Sequence, residues 1–150
     1  EWDTIFFFIG LFIVVGALEH VGTLTWLGQQ FAQFAHGDLA LASLALLGIS
    51  GIASAIVDNI PYTATMIPII QTLGKQIPDV MPLWWALSLG ACLGGNGTLI
   101  GATANVVAAD IAAYKCGQRI RFIEFMKVGG LIAIQSILIS GVYLWFRYLR

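Results

Sequence analysis

Charge is what this sequence has least of. Of its 150 residues, 10% are Asp, Glu, Lys or Arg, against 59% hydrophobic ones, and its mean hydropathy is +0.88. A soluble domain carries roughly a quarter charged residues, so this chain has too little polar surface to face water on every side. Seven basic and eight acidic residues leave a net charge of -1, and no basic face is present to hold nucleic acid. Cysteine and histidine are scarce too, at two each. Cys92 sits in an apolar run and Cys116 at a helix end, so both read as free thiols rather than a disulfide or metal pair. No nucleophile, base and orienting group stand together, and His20 and His36 fall outside the polar motifs below, which argues against an enzyme. A basic n-region with a small-residue cleavage site is also lacking, so no signal peptide is expected. The chain starts on "EWDTIFFF" with an apolar segment already under way, as a piece of a longer polypeptide would.

What is present is long uncharged sequence. Residues 39–57, 83–109 and 128–146 each lack any Asp, Glu, Lys or Arg, and a run of about 18 such residues reads as a membrane-span candidate. The fold class expected is therefore all-α integral membrane, multi-pass. The first span takes residues 1–22 and ends near Glu19 and His20, an interfacial helix end rather than a site. In 23–37, Trp26, Leu27, Phe31 and Phe34 fall near helical spacing with Gln29, Gln30 and Gln33 between them. That pattern predicts an amphipathic arm helix on the membrane surface, closed by His36 and Gly37. Residues 38–74 contain two apolar pieces around "DNIPYT". The second piece is about 12 residues, or roughly 18 Å of helix, short of an about 30 Å core. A re-entrant hairpin with its tip at mid-membrane depth fits better than two full spans. A polar, proline-bounded loop follows from Lys75 to Pro82. Residues 83–114 form one interrupted helix, "KCGQRIRFIEFMK" is a basic loop, and 126–148 make the last span. Trp84, Trp85 and Trp145 read as interfacial belt residues.

Lys115, Arg119, Arg121 and Lys127 share one short loop, against Lys75 alone in the loop before and Arg147 and Arg150 at the end. The positive-inside rule then puts the 115–127 loop in the cytoplasm and the C-terminus outside, in a plasma or inner membrane.

Two polar motifs interrupt the apolar runs. "GGNGTLIGATANVV", residues 94–107, places four glycines, two asparagines and two threonines where a span should be most apolar. Non-helical backbone at membrane depth must be buried in protein or line a cavity. Gly94, Gly95, Asn96 and Gly97 are poor helix formers, and the glycines admit backbone angles closed to other residues. A break near Gly94 with a restart near Thr103 is expected. It would free carbonyls for a cation and helix N-terminal amides for an anion or polar oxygen. Asn96, Gly97, Thr98, Thr103 and Asn105 are the candidate site residues here. Tight packing through the GxxxG spacings of Gly90 with Gly94 and Gly97 with Gly101 is the alternative, although it does not account for Asn96 and Asn105.

At the hairpin tip, Asp58, Asn59 and Thr63 are the candidates. Pro61 cannot donate a backbone hydrogen bond and disfavours helix at Ile60, so Thr63 and Thr65 should begin the returning helix. An intramembrane carboxylate usually faces a cavity and binds ions or protons, which gives Asp58 the strongest functional reading; simple capping of the returning helix is its rival. Na+ is expected at Asp58, Asn59 and Asn96. No cofactor is expected beyond Na+ or H+ as a coupling ion. Asp110 reads as structural, a partner for Lys115.

"EWDTIFFFIGLFIVVGALEHVG", "SGIASAIVDNIPYTATMIPII" and "LGGNGTLIGATANVV" together resemble the C-terminal half of the ion transporter superfamily. The resemblance is closest to the branch of arsenite permeases, NhaD-type sodium/proton antiporters and the P protein, grouped with citrate transporter-like domains. It implies one inverted-repeat unit of a two-repeat transporter, with the N-terminal repeat as a missing partner, a homodimer set among membrane lipids, and a moving transport domain. Half a site would not transport unaided. The dicarboxylate-transporting relatives carry Ser-Asn-Thr at the tip, whereas this chain has Asp58-Asn59-Ile60-Pro61-Tyr62-Thr63. A tip carboxylate repels a di- or tricarboxylate unless a cation intervenes. The function expected is secondary active transport of inorganic ions by alternating access, either sodium/proton antiport or arsenite and antimonite efflux. For arsenite, Cys92 lies two residues before the motif. A sodium-coupled carboxylate transporter and an ion channel are the alternatives.

Overall fold

The structure, a computed structural model, describes residues 2–35, 37–74 and 79–150. Seven α-helices follow one another with no strand among the described residues. They are α1 (Trp2–His20), α2 (Thr23–Ala35), α3 (Leu39–Ile56), α4 (Asn59–Leu73), α5 (Met81–Gly94), α6 (Thr103–Cys116) and α7 (Phe122–Leu144), the last running on into a short π-helical end, Trp145–Leu149. This is the all-α build of an integral membrane protein. Both α3 and α7 with its extension are long and apolar enough to cross a membrane, and α1 with α2 would make a third crossing if the bent pair counted as one. The bend between them is 66°.

The bundle is built on small residues because lipid tails supply no hydrophobic drive between helices; close backbone approach has to supply the attraction instead. α3 and α5 run side by side in the same direction. A Cβ added to Gly90 would lie 2.6 Å from the Leu47 carbonyl oxygen and 2.6 Å from the Ser50 Cβ, and one added to Gly94 would overlap the backbone of Gly51. The buried Ser54 hydroxyl donates to the Ala91 carbonyl across the same seam, at 2.6 Å. α7 runs the opposite way. Its Gly141 packs on Leu44 and Leu47, Ile137 on Gly51, and Gly129 on the backbone oxygen of Asn96. α4 folds back from α3 and packs on α2, where Gly28 meets Ile69 and Thr72. Leu46, Leu47, Ile70, Leu73, Leu83, Leu87 and Leu144 fill the space between.

Helix boundaries depart from the sequence reading in ways the end chemistry explains. α5 starts at Met81, not Leu83, because Pro82 sits in its first turn, where a missing N–H costs nothing. α6 runs to Cys116, and Gly117 ends it in the left-handed conformation at φ 66°, which side chains other than glycine rarely adopt. The basic loop contracts to residues 117–121, since α7 already begins at Phe122 with Glu124 in its first turn, an acid at the positive end of the helix dipole. The face of α2 that packs is Leu24, Gly28 and Ala35; Trp26 and Phe34 stay exposed. The expected closure at His36 and the charge of Lys75 lie outside the described residues.

Candidate functional site

α3 stops at Val57, whose backbone is extended (φ -112°, ψ 135°). Asp58 follows as the N-cap of α4, its Oδ1 accepting from the Ile60 N–H at 3.1 Å. The returning helix therefore begins at Asn59 rather than at Thr63. Pro61 falls inside the first turn, where its missing N–H again goes unneeded. Thr65 is already within the helix and donates to the Pro61 carbonyl at 3.0 Å.

The interrupted helix breaks where expected. After α5, Gly95–Gly97 form a single 3-10 turn, residues 98–102 are irregular, and α6 starts at Thr103. The glycines serve this break differently from the expectation. Gly94 (φ -63°) and Gly95 (φ -56°) keep right-handed helical angles, and the positive-φ glycines of the described residues are Gly22, Gly37 and Gly117. What the break uses is the missing Cβ. One added to Gly95 would lie 2.8 Å from the Gly101 oxygen, and one added to Gly101 would lie 2.9 Å from the Ser54 oxygen. Two strands of irregular chain and the end of α3 thus meet backbone to backbone. The packing reading of the glycines and the broken-helix reading are both present, in adjacent residues.

Side chains satisfy part of the backbone that the break exposes. Thr98 Oγ1 donates to the Ala55 carbonyl at the end of α3 and accepts from the Gly101 N–H at 3.0 Å. Asn105 Nδ2 donates to both the Gly95 and the Thr98 carbonyls, each at 3.0 Å. Its amide spans the gap as a staple, so these two freed carbonyls, expected to await a cation, already have a donor.

The tip and the break meet at Asp58. Thr103 Oγ1, on the first residue of α6, donates to Asp58 Oδ2 at 2.6 Å. One carboxylate therefore caps α4 with one oxygen and binds the start of α6 with the other. A helix N-terminus carries about half a positive charge, and the one at α4 has this carboxylate as its cap, while the bond to α6 runs through the Thr103 side chain. Both motifs read from sequence lie in this junction, and the capping role of Asp58 coexists with the contact to the break.

The remaining candidates are distributed around it. Asn59 and Thr63 line a groove of about 360 Å³ together with Phe12 and Cys92, on α4 beyond the tip. Gly97 is buried against Ala55 and Ala133, whereas Asn96 is exposed, its backbone oxygen against Gly129. Asp110 lines a cleft with Arg119 in place of the expected pairing with Lys115. Both cysteines are free thiols, and no group of three or more His, Cys, Asp or Glu that could hold a metal occurs among the described residues. Oxygens that a hard cation could use at the junction include those of Asp58 and Thr103. Sequence reading missed Ser50, Ser54 and Tyr62. Ser50 Oγ lies 3.0 Å from Tyr62 Oη, tying α4 to α3 near the tip, and Ser54 bonds across to α5. The signal was there: Ser50 and Ser54 lie four apart on the face of α3 that carries Gly51.

Comparison with known proteins shows the family. The family described as citrate transporter matches residues 1–90. An uncharacterized transporter of Mycobacterium bovis and the 46 kDa membrane protein of Mycobacterium leprae are each 45% identical over 152 residues, covering 99% of this chain and 35% of their own length. The P protein of Sus scrofa is 44% identical over 153 residues, covering 96% of this chain and 18% of its own. The chain thus spans about a third of the first two relatives and less than a fifth of the third. No solved structure matches it.

Proposed function

We propose that this chain, which belongs to the citrate transporter family, is the C-terminal half of a secondary active transporter that moves inorganic ions by alternating access, in sodium/proton antiport or arsenite and antimonite efflux. The observation that carries this reading is the Asp58 carboxylate at the junction of the hairpin tip and the broken helix, bonded to Thr103 at 2.6 Å. Two helix N-termini left open would attract an anionic substrate. Here a fixed protein anion caps one of them and bonds the first side chain of the other, which favours a cation, a proton or a neutral oxyacid over a carboxylate. Asp58 exchanges a proton for the cation, and the junction opens to one side of the membrane at a time. α3 and α4 form a hairpin that enters and leaves on one side, and an N-terminal repeat supplies the facing half of the site.

The family's own description favours a second reading, sodium-coupled uptake of a citrate-like carboxylate, in which a cation at Asp58 neutralises the repulsion. Transport by the full-length protein in proteoliposomes, with Na+, Li+, arsenite and citrate each offered with and without a proton gradient, separates the two. Uphill flux of Na+, Li+ or arsenite driven by protons is the expected result. Citrate uptake with none of the inorganic ions moving would replace the first reading with the second.

A further inference from the structure

The far end of α6 carries charge for which the proposed site has no use. Lys115 lies in the last turn of α6, Arg119 and Arg121 in the turn 117–121, and Lys127 about one and a half turns into α7. Glu124 is the one acid between residues 111 and 128. Every residue from 114 to 124 is exposed. Basic residues on a solvated turn would need no explanation, but these alternate with apolar ones. Tyr114 is 91% exposed, Ile123 60%, and Ile120 and Phe122 41% each. A turn built for water does not present four such side chains together, and one built for hydrocarbon does not keep four cations. The mixture fits the boundary between them, where rings sit at headgroup level and long basic side chains reach outward along their own alkyl stems.

Beside this rim, Arg119 and Asp110 share a cleft of about 400 Å³ lined also by Leu99, Val106 and Ala113, of mixed polar and apolar character. Asp110 and Glu124 set two carboxylates against the four cations and leave the patch positive. The opposite end of the bundle is different in kind. Its Arg147 guanidinium lies 5.3 Å from the Tyr148 ring centroid, and Tyr148 stacks on Trp85 with ring centroids 6.3 Å apart, an aromatic cluster with fewer cations.

We propose that the turn 117–121 and the helix ends flanking it are a binding site for anionic phospholipid, with Lys115, Arg119, Arg121 and Lys127 on the headgroup phosphate. Phosphate charge complements the patch, and the interleaved aromatic and aliphatic side chains hold it at the depth of that phosphate. Each basic residue near an anionic surface strengthens attachment about fivefold.

The test uses the full-length protein in detergent, titrated with phosphatidylglycerol or with phosphatidylcholine of the same acyl chains, and separately with inorganic phosphate. Thermal stability is the readout. Wild type should melt higher in phosphatidylglycerol than in phosphatidylcholine, and phosphate alone should not reproduce the difference. R119Q/R121Q and K115Q/K127Q should each weaken the half-saturating phosphatidylglycerol concentration by more than tenfold while melting as wild type does in phosphatidylcholine. R147Q/R150Q, at the other end, should keep the preference. The single variant R121Q, with a shift of about fivefold, decides the matter if a double variant does not fold. Equal stabilisation by the two lipids, an effect reproduced by phosphate, or a preference that survives both basic-turn doubles and R121Q would overturn the proposal.

Discussion

Replacing Asp58 with Asn would preserve most of what it builds and remove what it carries. An Asn oxygen still caps α4, and its amide still reaches the Thr103 hydroxyl, which can accept as well as donate. Asp58→Asn should therefore cost about 0.3–1 kcal/mol, the loss of a negative charge at the α4 N-terminus, whereas Asp58→Ala, which loses the cap as well, should cost about 1 kcal/mol more. Thermal melts of the two variants separate architecture from charge. Thr103→Val tests the other end of the contact. It keeps the shape and loses the hydroxyl, so apparent ion affinity should fall while Thr103→Ser restores it; unchanged affinity in the valine variant would make the bond incidental. Asn105 is the residue whose role moved furthest from the sequence reading. Asn105→Ala leaves the Gly95 and Thr98 carbonyls without their shared donor, a loss of about 1–3 kcal/mol. Asn105→Asp should destabilise more, since it sets a carboxylate against two carbonyl oxygens. A melting temperature unaffected by either change would show that the staple is not needed.

At the scale of elements, the break in the α5–α6 helix and the turn between α3 and α4 were both legible, because four poor helix formers in a row and a charged residue three positions before a proline have few other uses inside apolar sequence. The manner of use was not legible. Gly94 and Gly95 look alike whether they serve unusual backbone angles or close approach, and only the position of α3 against α5 distinguishes the two. Pro61 and Pro82 read as helix breakers, yet each lies in a first helical turn, where proline is tolerated. The stretch after Arg121 read as loop because of its charges, although Glu124 beside a run of apolar residues is also how a helix begins. Contacts that join elements distant in sequence, Ser50 with Tyr62, Ser54 with Ala91 and Thr98 with Ala55, have no local signature. Packing of α3 on α5 predicts a contrast between glycines. Gly94→Ala should cost about 1–3 kcal/mol or more through overlap with the Gly51 backbone. Gly48→Ala, with nothing within 4 Å of the new carbon, should be neutral or gain up to about 1 kcal/mol of helix propensity. Equal melting of the two variants would contradict the close seam.

Across the whole molecule, the junction is one-sided. α6 buries none of its side chains and leaves Val106, Val107 and Ile111 exposed, while the chain spans about a third of its bacterial relatives. The facing half of the site, on the reading proposed here, belongs to an N-terminal repeat. Residues 1–150 alone in proteoliposomes should then carry no ion flux above empty vesicles, and uphill flux by this segment would refute that division of labour. The most direct test of the central claim, that the carboxylate joining hairpin tip to broken helix is where the ion binds, is proton-driven efflux of Na+ and of arsenite by the full-length protein with Asp58 or Asn at this position. Wild type should move at least one of the two uphill, and the Asn variant, folded and inserted, should move neither. Equal uphill flux with and without the carboxylate would contradict the account.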